Sequence, residues 1–213
     1  MRYIIFISLL VFSCSPLKKY ESTQEKWENS VKKLENLDKK EKYSDQAILF
    51  IGSSSIRLWN SIEMDLSPYE SIKRAYGGAR YSDLIHFTER LVSPHNIRAI
   101  GIFVANDITG GAKDLTPKEV LNLAKFIVKK IRKESNIPLV LMTYTNILYN
   151  QTYLKFISRA KQAGIDGLIL PDMAIEESKE YVKAAKKIGM DTIFLVSPNT
   201  EKDRLKQIMR STS

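Results

Sequence analysis

Ala47-Ile48-Leu49-Phe50-Ile51-Gly52 is a short apolar run closed by a glycine. Such a run reads as a strand buried on both faces, the habit of parallel sheets. The same grammar repeats outward from it. Ser71–Tyr76, Arg98–Val104, Leu139–Thr143, Gly167–Leu170 and Thr192–Val196 are further expected strands. Between them lie helical stretches at Ser82–Val92, Tyr153–Ala163, Ile175–Ile188 and Glu201–Met209. Val120, Leu121, Ala124, Ile127, Val128 and Ile131 recur at helical spacing, with Pro117 in the first turn and Thr116 as N-cap. Alternating strands and helices predict an α/β fold: a parallel sheet with flanking helices built from βα repeats. The alternation fits both an open sheet and an arc of a barrel.

The chain has 213 residues, of which 44% are hydrophobic, enough for one domain but too few for two full enzymes. Its formal net charge of +9 comes from lysines spread along helical stretches, without a nucleic-acid motif. That pattern reads as solvated surface, and no nucleic-acid partner is expected. One cysteine, Cys14, and two histidines, His86 and His95, make an intrachain disulfide impossible and leave little for a metal site. No metal and no cofactor is expected.

Met1-Arg2-Tyr3 and the apolar run Ile4–Phe12 have the size of a signal sequence. Val11-Phe12-Ser13-Cys14 closes that run and resembles a bacterial lipoprotein signal. The resemblance implies cleavage after residue 13, lipidation of Cys14, export and a membrane anchor. Residues 14–45 are expected to form a polar tether with a helix around Glu25–Lys40.

Phe50-Ile51-Gly52-Ser53-Ser54-Ser55-Ile56-Arg57-Leu58-Trp59 follows a strand and opens a helix. Arg74-Ala75-Tyr76-Gly77-Gly78-Ala79-Arg80-Tyr81-Ser82-Asp83 and Phe103-Val104-Ala105-Asn106-Asp107-Ile108 also sit at strand ends, where α/β chemistry gathers. Together the three blocks resemble the SGNH/GDSL hydrolases over residues 46–122. The resemblance implies an open three-layer sandwich and serine acyl transfer on a small-molecule ester. Ser54 would attack, while Gly78 and Asn106 would hold the oxyanion. Val104 stands where that family has glycine. The family also needs an Asp-x-x-His pair near its C-terminus to take the serine proton, and no histidine follows His95. Asp83-x-x-His86 has that spacing, but lies on the helix after the second block, where the resemblance implies no catalytic role. The expected hydrolase is therefore weak or inactive.

Three later stretches resemble the tryptophan synthase alpha subunit: Ile131–Asn146, Ala163–Asp172 followed by Ile175-Glu176-Glu177-Ser178, and Thr192–Thr200. This resemblance occupies residues 123–213 and implies TIM-barrel-type βα units. It also implies a carbon–carbon lyase acting on indole-glycerol phosphate in tryptophan biosynthesis, and a beta-subunit partner. Met142, Tyr144, Pro171 and Leu195 correspond to pocket wall, and Asn146 and Asp172 to positions near the beta-subunit contact. The family's acid/base carboxylates belong to earlier strands and have no counterpart here. The sequence thus predicts a chimera, one part ester hydrolase with an incomplete catalytic set, the other a lyase fragment. A lipoprotein leader and a cytosolic biosynthetic segment conflict over compartment.

Overall fold

A computed structural model describes Tyr20 and residues 24–107, 114–149 and 152–213. Cys14 and the leader lie outside the described residues, as does Ile108. Six parallel strands form one sheet: β1 (Ile48–Gly52), β2 (Ser71–Ala75), β3 (Ala99–Phe103), β4 (Leu139–Met142), β5 (Gly167–Ile169) and β6 (Asp191–Ile193). Their spatial order is β2-β1-β3-β4-β5-β6. The winding therefore reverses at β1, whereas β3 to β6 follow in sequence as in an arc of a barrel.

Helices α1 (Gln24–Asp38), α2 (Ser54–Arg57), α3 (Ile62–Asp65), α4 (Tyr81–Val92), α5 (Pro117–Arg132), α6 (Thr145–Tyr149), α7 (Tyr153–Ala163), α8 (Lys179–Ile188) and α9 (Lys202–Ser211) complete the layers. Leu49, Ile51, Ile72, Ile100, Leu139 and Leu168 are fully buried on one face of the sheet. They share a core with Leu84, Phe87, Ile127, Ile157 and Tyr181 of α4, α5, α7 and α8. The other face carries a smaller cluster, Ile56, Ala75 and Phe103, flanked by Phe50, Trp59, Ala105 and Met142. All six expected strands and the main helices are present. The expected N-cap at Thr116 is also found: its hydroxyl accepts from Glu119 N at 3.3 Å, and Glu119 returns a bond to Thr116 N.

Three expectations are corrected. The polar segment after the leader carries α1, which is packed rather than free. Val31 is fully buried, and two arginines clamp the helix. Arg90 binds Glu28 and Glu35 at 2.7–3.0 Å, while Arg74, itself 1% exposed, reaches Asp38 at 2.5 Å and Glu41 at 2.8 Å. Burial works against the Arg74 charge, yet these carboxylates hold its pKa above the ordinary arginine value. Secondly, β6 ends at Ile193 rather than Val196, because its partner β5 ends at Ile169. The chain then enters a polar turn in which Thr200 N donates to Ser197 O. Thirdly, the expected helix from Ile175 begins as a 3-10 turn, Ile175–Glu177, before α8; the Ser178 hydroxyl donates to Ile175 O at 2.7 Å there.

The end of α5 is tied down by one side chain. The Arg132 guanidinium donates to the carbonyls of Gly164 and Ile137 and pairs with Asp166. Asp166 in turn accepts from Leu139 N at 3.0 Å. The ends of α5 and α7 and the starts of β4 and β5 thus share one polar knot.

Gly52 gives the sharpest steric constraint. Its φ is +146°, and a Cβ there would lie 1.9 Å from the Phe103 carbonyl oxygen. At Gly189, φ is +70° but a Cβ would meet nothing within 4 Å. Gly52→Ala is therefore expected to lower the unfolding free energy by roughly 3 kcal/mol or more. Gly189→Ala should cost only about 1 kcal/mol. Urea denaturation of the two variants checks this, and equal losses would refute the steric argument.

Candidate functional site

The winding reverses at β1, which sets the C-terminal ends of β1 and β3 side by side on the usual ligand side of an open α/β sheet. The backbone is drawn together there: Ser53 N donates to Phe103 O at 3.0 Å, and Tyr76 N to Gly52 O at 3.3 Å. Ser54 opens α2, and its hydroxyl accepts from Gly78 N at 3.0 Å. Gly78 has φ +76°, a conformation natural to glycine. Two of the expected residues, Ser54 and Gly78, thus meet. Asn106 lies beside them, but its amide donates to Ala79 O at 2.8 Å and is committed to holding the turn.

No hydrogen bond among the described residues joins Ser54 to a histidine. The His86 ring bonds the Tyr20 carbonyl at 3.1 Å. Its sequence neighbour Asp83 accepts from Arg80 N at 2.9 Å and from the Trp27 indole at 3.0 Å. The indole of Trp27 stands over Gly78, so that a Cβ on the glycine would touch its ring edge at 3.4 Å. His95 lies against Asp38 near the C-terminal end of α1, and burial lowers its pKa. A serine hydroxyl without an imidazole beside it is a poor nucleophile.

At the C-terminal ends of β4 to β6 the expected wall residues have different surroundings. Met142 turns toward the cluster of Phe103, Ile56 and Ala75. Tyr144 packs edge-on against Phe103, with centroids 5.9 Å apart, yet is 42% exposed. Pro171 is half-buried, and Leu195 is 53% exposed beyond the end of β6. Asp172 next to Pro171 is held by Thr145: the backbone N donates to both carboxylate oxygens at 3.0 and 3.1 Å, and the hydroxyl to one at 2.7 Å. This lock on α6 was not legible, because Thr145 and Asp172 meet only through the β4–β5 pairing. Among the described residues no group of three or more His, Cys, Asp or Glu could hold a metal ion. Nor is any described helix long and apolar enough to cross a membrane.

Sequence reasoning also missed Asp107. It is 2% exposed, accepts from Tyr81 N at 2.8 Å, and burial raises its pKa to about 6. Its only sequence signal was its place beside Asn106.

With this geometry, residues 108–213 match the tryptophan synthase alpha chain family. The tryptophan synthase alpha chain of Methanococcus vannielii is 50% identical over 80 residues, which are 38% of this chain and 31% of that relative. That of Methanocaldococcus jannaschii is 37% identical over 107 residues, 50% of this chain and 37% of the relative. The chain therefore spans about a third of the length of the curated relatives it matches. Among solved structures, the tryptophan synthase α2β2 complex from Pyrococcus furiosus aligns with a TM-score of 0.54 and 25% identity. The alignment covers 79% of this chain and 65% of that one.

These matches overturn the reading of the chain as an ester hydrolase. The relatives are tryptophan synthase alpha chains, and the structural likeness, at 79% of the chain, extends beyond the matched 108–213 into the half that had suggested a hydrolase. The physical reason agrees: a Ser54–Gly78 contact built by a sharp strand-to-helix turn imitates a nucleophile site, but among the described residues no histidine bonds to the serine. The C-terminal region, from residue 108 to Ser213, resembles the tryptophan synthase alpha chain.

Proposed function

We propose that the chain is an alpha-type piece of tryptophan synthase that binds a beta-type subunit through the C-terminal ends of β4 to β6 and has no turnover of its own. The match over residues 108–213 carries this reading. The P. furiosus structure it resembles is of an α2β2 complex. The surface also suits a partner. Tyr144, Leu195 and Val196 are 42%, 53% and 54% exposed, and exposed Asn146 and Asp172 lie on the same strand ends. An apolar centre with polar groups around it is the composition of an interface.

The family reaction, cleavage of indole-glycerol phosphate at a carbon–carbon bond, needs a carboxyl group able to exchange protons with substrate. Asp172 is the carboxylate beside the expected wall residue Pro171, and all three of its described bonds come from Thr145. An anchored carboxylate of this kind positions α6 instead of serving as acid or base. The chain thus contributes to lyase chemistry only within an assembly.

Calorimetric titration with the P. furiosus beta subunit tests this. Saturable association is expected, weakened about tenfold or more by Leu195→Asp or Tyr144→Ala, a change of about 1.4 kcal/mol or more. Trp27→Ala, beside Gly78 at the β2 edge of the sheet, should bind as the parent does. The chain alone should release no indole from indole-glycerol phosphate. Absence of association up to ~1 mM, or turnover by the isolated chain that Asp172→Asn removes, would contradict the proposal.

A further inference from the structure

On the helix-covered side of the sheet, where β3 and β4 end beneath α5 and α6, lies a cavity of about 130 Å³. Its walls are mostly apolar, including Val104, Val120, Leu141 and Phe156. Met142, expected as pocket wall, is absent from it and packs on the cluster of the opposite face. This space adjoins the strand-end surface and shares Tyr144 and Asn146 with it.

Among the described residues lining the cavity, the one carboxyl group is that of Asp107. One of its oxygens is satisfied by Tyr81 N at 2.8 Å. The other, Oδ1, is buried and has no hydrogen-bond partner among the described residues. An unpaired carboxylate oxygen beside apolar walls is costly, and such orphans in folded proteins point to a missing partner. A carboxylate only accepts, so the partner must donate, and a cationic N–H gains most because it also neutralises the charge. Size bounds the remainder: an apolar cavity of ~150 Å³ takes up benzene.

We propose that this cavity binds a compact organic ammonium, an apolar body of about six to eight heavy atoms whose protonated amine draws the buried Asp107 Oδ1 toward the cavity and donates to it. The apolar walls hold the body, and the carboxylate selects the charge. Charged groups acting on Asp107 are Arg80, which favours its ionised form, and Asp83 and Asp114, which oppose it. Burial is the largest influence and raises the carboxyl to about 6. The ligand needs the ionised form, so affinity is full above that pH and falls toward tenfold per unit below it.

Calorimetry of the full chain with benzylamine, benzyl alcohol and toluene is the test. Benzylamine is expected to saturate a single site with a Kd of ~1 mM or tighter near pH ~7.5. Benzyl alcohol and toluene should bind at least ~10-fold more weakly, and benzylamine should weaken similarly at about pH 5. Asp107→Asn, checked for folding by circular dichroism, should lose the preference for the amine. Ala124→Leu, which fills the cavity but keeps the carboxylate, should lose all three ligands. Equal affinity for amine and alcohol, unchanged amine binding in folded Asp107→Asn, or no saturation by any of the three would overturn the proposal.

Discussion

The backbone of Gly52 runs so close to the carbonyl of Phe103 that no side chain fits between them. This contact fixes the ends of β1 and β3 side by side, and the rest of the architecture depends on it. β1 lies next to the edge strand, paired on one side to β2 and on the other to β3. With Gly52 against Phe103, the chain leaving β1 must turn sharply into α2, which sets Ser54 against Gly78. The chain leaving β3 turns the other way, burying Asp107 under Tyr81 and sending the Asn106 amide to Ala79. One steric constraint thereby places a serine that looks catalytic and a carboxylate that sequence reading passes over.

A second constraint makes the two halves one body. β3 pairs with β4 from Ile100–Leu139 to Phe103–Met142, so hydrogen bonds cross from the N-terminal half into the matched residues 108–213. Arg132 then binds the helix between those strands to the following βα unit through Gly164, Ile137 and Asp166. A guanidinium satisfied by several carbonyls and a carboxylate at once holds geometry well, since its fork is planar and pre-organised. The sheet consequently offers one row of C-terminal strand ends, and the exposed apolar residues on that row belong to its β4–β6 side.

The strands were legible because they read as short apolar runs, and β1 to β3 are largely buried on both faces. Strand order was not, since alternation of strand and helix is silent on whether β1 lies at an edge or between β2 and β3. The α1 segment read as a polar helix in a tether because its attachment is mostly charge: Glu28, Glu35 and Asp38 find arginines on α4 and β2, far along the chain. Ser54 and Gly78 were brought together only by a family resemblance, and that resemblance, which lacked a base, misdirected the function. Tyr144 and Leu195 were read as pocket wall; their exposure follows from how β4 and β6 end, a property of the assembled sheet. Asp107 stood in plain view beside Asn106, yet its burial and its orphan oxygen exist only once Tyr81 and α5 close over it.

The central claim is that the C-terminal ends of β4 to β6 form the working surface of this chain. Hydrogen–deuterium exchange of the full chain with and without a tryptophan synthase beta subunit tests it most directly. The account predicts slowed exchange in peptides covering Thr143–Ile147 and Phe194–Thr200, with α1 and α4 unchanged. Protection confined to the Ser54–Gly78 contact and α1, or none anywhere in the complex, would contradict it.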